Sequence, residues 1–251
     1  FKAATPLYQK MVDVAEETGS SLKGGAHNVL AHNYLFSGDA EMARKNYDRS
    51  IALARSPIST VNRSFYKLFS YLFQNDYEGA LSFAQELDNN LNTLEFTEAS
   101  LNQQKARVEF SKFLAYAHNQ QKEEAYSALN ARKNYAAAAL ALMEVDEVRQ
   151  RDFDLTSARN EAWYHILFGE YDQAEEQLAK LYSIASKIQN PTALDNYNAL
   201  SGMVRLFSGD ARGALTYFND NIIPENYLYY GYFKGLALKG AGEDAKAKEI
   251  F

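Results

Sequence analysis

Apolar residues recur at helical spacing along nearly the whole chain. Leu30, Tyr34 and Leu35, and later Leu200, Met203, Val204 and Phe207, fall three and four positions apart, while alternation with a period of two is absent. The pattern predicts an all-α protein. The helical runs break at short polar turns, and two of these read identically: LFSGDA at Leu35 to Ala40 and again at Leu206 to Ala211, 171 positions later. Aligning on them brings out related turns at Gln74-Asn75-Asp76-Tyr77, Gln120-Gln121-Lys122, Phe168-Gly169-Glu170-Tyr171 and Ala241-Gly242-Glu243-Asp244, six copies in all.

Each copy predicts a helical hairpin. The turn position (Gly38, Asn75, Gln120, Gly169, Gly209, Gly242) suits the left-handed conformation that closes a first helix. The next residue, acidic in five copies (Asp39, Asp76, Glu170, Asp210, Glu243), suits the N-terminus of a second helix. Five positions past the turn stands alanine every time: Ala43, Ala80, Ala125, Ala174, Ala214 and Ala247. A small residue there lets the two helices approach closely. Nine past the turn a larger residue (Tyr47, Leu129, Leu178, Phe218, Phe251) fills the gap in five copies, and Ala84 is the exception. Pro57, Pro191 and Pro224 fall 19, 22 and 15 residues past their turn glycines, where one hairpin should end and the next begin.

These residues resemble the tetratricopeptide repeat family, whose pattern runs small residue, aromatic, Gly-Asp/Glu turn, Ala, aromatic, small residue, Pro. The first copy carries it in Leu30-Ala31, Tyr34, Gly38-Asp39, Ala43, Tyr47 and Pro57. The fifth does so in Gly202, Gly209-Asp210, Ala214, Phe218 and Pro224, and the fourth in Ala162, Gly169-Glu170-Tyr171, Ala174 and Leu178. The resemblance implies an α-solenoid, a right-handed superhelix of stacked antiparallel hairpins. Successive turns lie 37, 45, 49, 40 and 33 residues apart, against about 34 in the family, so several units are enlarged. The surplus is greatest between Lys122 and Ser157, where it extends the third hairpin's second helix or adds a further helix. The expected organisation is one repeat domain over 1–251, with an N-terminal helix over 5–17 that serves as the second helix of a preceding hairpin or as a cap. Units follow over 22–56, 57–93, 98–150 (enlarged), 151–190, 191–223 and 224–251.

A formal net charge of −6 with no clustered Lys and Arg argues against nucleic acid and anionic membrane as partners. The longest apolar run, Tyr135 to Met143, is too short for a membrane helix, so membrane insertion is not expected. With no Cys, disulfides and thiolate metal sites are excluded, and cytoplasm and periplasm fit equally well. Residue 1 is Phe and Phe251 ends the chain inside a helical pattern, so both ends are expected to be trimmed.

The common catalytic motifs are absent, and Gly235, Gly240 and Gly242 read as hairpin glycines rather than a phosphate loop. No two of His27, His32, His118 and His165 stand at the three- or four-residue spacing that pairs imidazoles on a helix, so no metal and no cofactor is expected. Glu123-Glu124 and Glu175-Glu176 lie early in second helices, where they complement the helix dipole.

Surfaces remain as the place for function. In the resembled family, first helices line a concave groove, and the matching positions lie 13, 10, 6 and 3 residues before each turn. Carried over, the resemblance implies a partner-binding groove containing Asn28, His32, Phe65, Phe69, Phe110, Arg159, Trp163, Met203, Tyr229 and Tyr232. The same positions take in Asn62, Arg107 and Ala199. The Lys, Asn and Arg clamp with which chaperone-binding members hold a terminal carboxylate is not reproduced, since Asn28 and His32 stand there in the first copy. An aromatic stripe at helical spacing suits internal packing as well as a groove. The leading expectation is a non-enzymatic scaffold for a protein or peptide, such as an apolar or amphipathic helix. The alternative is a sensor domain that binds a small ligand and controls an output domain outside this chain. Homodimerisation through the segment Tyr135 to Val148 is a third.

Overall fold

A computed structural model describes the chain apart from residues 145, 191, 220–227 and 251, and apart from the side chains of 228–230. The expectations placed on Pro191, Pro224, Phe251 and the Tyr229 side chain lie outside the described residues. Among the described residues there are thirteen α-helices, a short 3-10 turn at Lys2–Ala4 and no strand. None of these helices is long and apolar enough to cross a membrane.

The chain forms two compact units, Phe1–Met143 and Glu144–Phe251. The first holds α1 (Thr5–Glu17), α2 (Lys23–Phe36), α3 (Ala40–Ala52), α4 (Pro57–Phe73), α5 (Tyr77–Leu91), α6 (Glu98–His118) and α7 (Lys122–Ala141). The second holds α8 (Glu147–Leu167), α9 (Tyr171–Ala185), α10 (Asp195–Phe207), α11 (Ala211–Asn219), α12 (Leu228–Gly240) and α13 (Asp244–Ile250). Within each unit every helix packs on its neighbours in sequence, which is the pattern of stacked helical hairpins.

All six turn positions have positive φ: Gly38 89°, Asn75 56°, Gln120 60°, Gly169 72°, Gly209 93° and Gly242 84°. The turns share one pair of backbone bonds. In the first, the Asp39 N–H donates to Tyr34 O at 2.9 Å and the Gly38 N–H to Leu35 O at 3.1 Å, and the same pair recurs at the other five. This Schellman arrangement satisfies carbonyls that the end of a helix leaves open. Side-chain length then separates the acidic residues. Asp39, Asp76 and Asp210 accept from the backbone N–H of Met42, Gly79 and Gly213 at 2.8 to 3.0 Å. One methylene longer, Glu170 turns back to His165 Nδ1 at 2.8 Å, and Glu243 meets Lys246 at 2.6 Å.

The alanines five past each turn are all buried, so the hairpins close at these points. Tyr47, Leu129, Leu178 and Phe218 fill the space beyond them. At the exception, Ala84, its neighbour Phe83 supplies the bulk and packs on Tyr71 with ring centroids 6.0 Å apart. Pro57 opens α4 behind a Ser56 cap whose Oγ accepts from the Ser59 N–H at 3.3 Å. The surplus sequence after the third turn lengthens helices rather than adding one, since α7 and α8 run to 20 and 21 residues. Helix α1 docks through Val12, Ala15 and Tyr8 against Ala26, Leu30 and Tyr34 of α2. The Glu16 carboxylate reinforces the dock, with His27 Nε2 and an Arg49 guanidinium nitrogen each 3.2 Å away. The His27 contact is the main cause holding Glu16 below its usual carboxylate range.

Candidate functional site

In the first unit, α2, α4 and α6 are the first helices of successive hairpins, and their side chains meet in a ladder. Its α2 end is His32. The Asn28 amide donates to His32 Nε2 at 3.1 Å, so the neutral ring carries its proton on Nδ1 and donates to the Tyr47 hydroxyl at 2.6 Å. Tyr47 is fully buried, and burial raises its phenol well above the usual range, so it stays protonated. Burial lowers His32, because an imidazolium among these neutral groups loses its hydration.

From His32 the ladder passes to α4, where Tyr66 sits edge-on with ring centroids 4.8 Å apart. The far rung is Arg107 on α6. Its guanidinium lies over the Phe65 ring, 4.1 Å from the centroid, and donates to Asn62 Oδ1 at 3.0 Å and Gln104 Oε1 at 2.7 Å. Those acceptors are neutral amides, and among the described residues Arg107 has no carboxylate within ion-pair distance. Phe69, one helical turn along α4 from Phe65, is exposed. Phe110, one turn along α6 from Arg107, is half-buried against Phe113 and under Arg132. The face therefore offers a cationic fork, amide groups, and ring faces and edges. Groups of these kinds form hydrogen bonds and stack on planar or aromatic groups.

The residues expected to line a groove thus divide. Asn28, His32, Phe69 and Phe110 lie on or at the edge of this face, with Asn62 and Arg107. Phe65 is only 3% exposed because Arg107 covers it, so it is the floor of the face rather than part of its surface. In the second unit, Arg159 and Trp163 are half-buried on α8, where Arg159 Nε donates to Asn160 Oδ1 at 3.3 Å and Trp163 packs on the core. Tyr232 is exposed on α12. Met203 has 0% exposure, and the groove expected at its position does not exist. There α10 packs directly on α8 and α12, so an inward side chain meets neighbouring helices instead of solvent.

Two members of the ladder escaped the repeat register, Tyr66 and Gln104. Tyr66 stands next to the expected Phe65, nine residues before its turn, and Gln104 stands sixteen before its turn on the long α6, so neither falls on the carried-over offsets. The adjacent aromatics Phe65-Tyr66 are the signal that could have found the first, since neighbours in a helix point about 100° apart and one of two must leave the core.

Among the described residues no group of three or more His, Cys, Asp or Glu is placed to hold a metal ion. No protein-family model and no curated protein matches the chain.

Proposed function

We propose that the chain is a non-enzymatic, tetratricopeptide-like scaffold that binds a protein or peptide partner on the α2–α4–α6 face of its first unit. The observation that carries this reading is Arg107. Its guanidinium lies over the Phe65 ring and donates to two neutral amides, and among the described residues no carboxylate pairs with this positive charge beside exposed Phe69 and Tyr66. A charged, aromatic and pre-positioned cluster of this kind is where binding energy concentrates in protein interfaces. The ladder is also fixed before a partner arrives, which lowers the ordering cost of association.

The test is selection of peptides on the 251-residue chain from a random library, followed by affinity measurement on variants. The reading expects a selected peptide whose affinity falls about tenfold or more with Phe69→Ala and with Arg107→Ala, losses of the size seen at interface hot spots. Tyr182→Ala, an exposed position in the second unit, should leave affinity unchanged. Selection that yields no binder, or binders indifferent to both first-unit substitutions, overturns it.

A further inference from the structure

Helix α1 buries one face and exposes another that is equally apolar. Val12 and Ala15 turn into the first unit, yet Leu7, Met11 and Val14 remain 71%, 39% and 48% exposed. Their spacing of four and three places them, with Thr18, on a single stripe of the helix. At about 100° per residue this stripe lies roughly a quarter turn from the face that meets α2. A hairpin stack buries apolar faces only against neighbours, and the described residues leave this stripe of α1 exposed.

The charges beside the stripe indicate what covers it. Lys10 and Glu17 are exposed, seven residues apart, on the flank of the stripe away from α2. When two copies of α1 lie antiparallel, equivalent flanks face each other, as the g positions do in an antiparallel coiled coil. Met11 of each copy then packs on Val14 of the other, Leu7 meets Thr18, and Lys10 meets Glu17 twice across a two-fold axis. A parallel pair instead sets Lys10 toward Ala15, and its charges find no partner. The apolar stripe and the charge pattern are therefore self-complementary in one orientation, which is the requirement of a two-fold symmetric interface.

We propose that the Leu7–Met11–Val14 stripe is a self-association surface on which α1 of one chain packs antiparallel on α1 of a second copy, with Lys10 and Glu17 setting the register. This surface is separate from the α2–α4–α6 face and does not depend on it.

Sedimentation velocity of the 251-residue chain, from low micromolar to several hundred micromolar, measures this directly. The expected result is a reversible shift from monomer to dimer. Met11→Lys should raise the dissociation constant about tenfold or more, as burial of an unpaired charge in a small apolar contact implies. Lys10→Glu and Glu17→Lys should each weaken the dimer, and the double variant Lys10→Glu/Glu17→Lys should restore it, because the exchange regenerates the pairs. All three sites are exposed, and circular dichroism melts of each variant verify that helix content is kept. Should Met11→Lys fail to fold, the charge exchange alone decides the matter. A chain that stays monomeric throughout, a dimer indifferent to Met11→Lys, or a double variant as weak as the singles overturns the proposal.

Discussion

At Gln120 the backbone holds φ at 60°, in the same turn position that four other copies give to glycine. A side chain in that conformation costs roughly 1–2 kcal/mol through the approach of Cβ to the following carbonyl. Asn75, at 56°, bears less of this cost because its short amide tolerates the left-handed region. Glycine recovers the strain but adds freedom to the unfolded chain, worth about 0.5–1 kcal/mol in the opposite direction. Gln120→Gly should therefore stabilise the protein by somewhat under about 1 kcal/mol, a rise in Tm of about 2 °C for a chain of this size. Asn75→Gly should do less, and thermal melts of the two variants test the order. His32 sets a second residue-level expectation. Burial lowers it from 6.5, so as pH falls the unfolded chain binds a proton before the folded one does. The stability this neutral ring contributes is present above pH 6.5 and is lost as pH drops below it toward the folded value. Melts from pH 7.5 to pH 5 on the wild type and on His32→Gln check this, with a shallower acid-side decline expected in the variant.

At the scale of elements, close approach decides which substitutions hurt. In the α10–α11 hairpin, a Cβ on Gly202 would stand 2.6 and 2.8 Å from two ring carbons of Phe218, and that ring is buried. A phenyl ring in a packed site has little room to move, so Gly202→Ala should cost roughly 1–3 kcal/mol by overpacking. That is more than the gain of about 1 kcal/mol from better helix propensity. Adding Phe218→Leu should recover part of the loss, and a urea double-mutant cycle measures the coupling. The same contact explains how far the fold could be read from sequence. Turns, short helix-to-helix distances and helix order depend on residues close in the chain: Gly38 and Gly209 for the left-handed turn, Ala43 and Ala214 for the approach. Those features followed from spacing. Burial on first helices depends on which helices touch across repeats, and spacing does not encode that. Met203 and Phe69 occupy the same offset from their turns, yet α8 and α12 enclose the first and solvent reaches the second. The rungs Tyr66 and Gln104 were missed because the carried-over offsets pick one residue per turn: Tyr66 sits next to one such position, and Gln104 lies on the part of the long α6 that precedes them all. The pairing of Arg107 with Phe65, Asn62 and Gln104 joins residues up to 45 positions apart and becomes visible only once α4 and α6 are side by side.

For the whole molecule, the division into two compact units has an energetic meaning. Each has a core of its own: Val61, Phe65, Leu68, Leu87, Leu91 and Val108 in the first, and Ala162, Leu178, Leu200, Met203, Val204 and Phe218 in the second. In a stack of hairpins, stability is approximately the sum of each repeat's own term and nearest-neighbour interfaces. A segment that retains whole hairpins and their mutual contacts therefore keeps most of its stability. The first unit closes three hairpins and the docked α1, so a fragment of residues 1–143 should fold on its own. Its circular dichroism should report a helical protein, and urea should unfold it in a cooperative transition whose m-value is smaller than that of the full chain, in proportion to the surface exposed. It should also keep the environment of His32, read as the same acid-side loss of Tm between pH 6.5 and pH 5. Cutting inside a unit should behave differently. A fragment ending at residue 93 removes α6, which supplies Val108 to the core and covers Phe65 with Arg107. That fragment exposes the apolar flank of α4 and α5 and should melt lower than 1–143 or fail to fold. If 1–143 is unfolded while 1–93 is stable, the boundaries of cooperative structure do not follow the boundaries of packing.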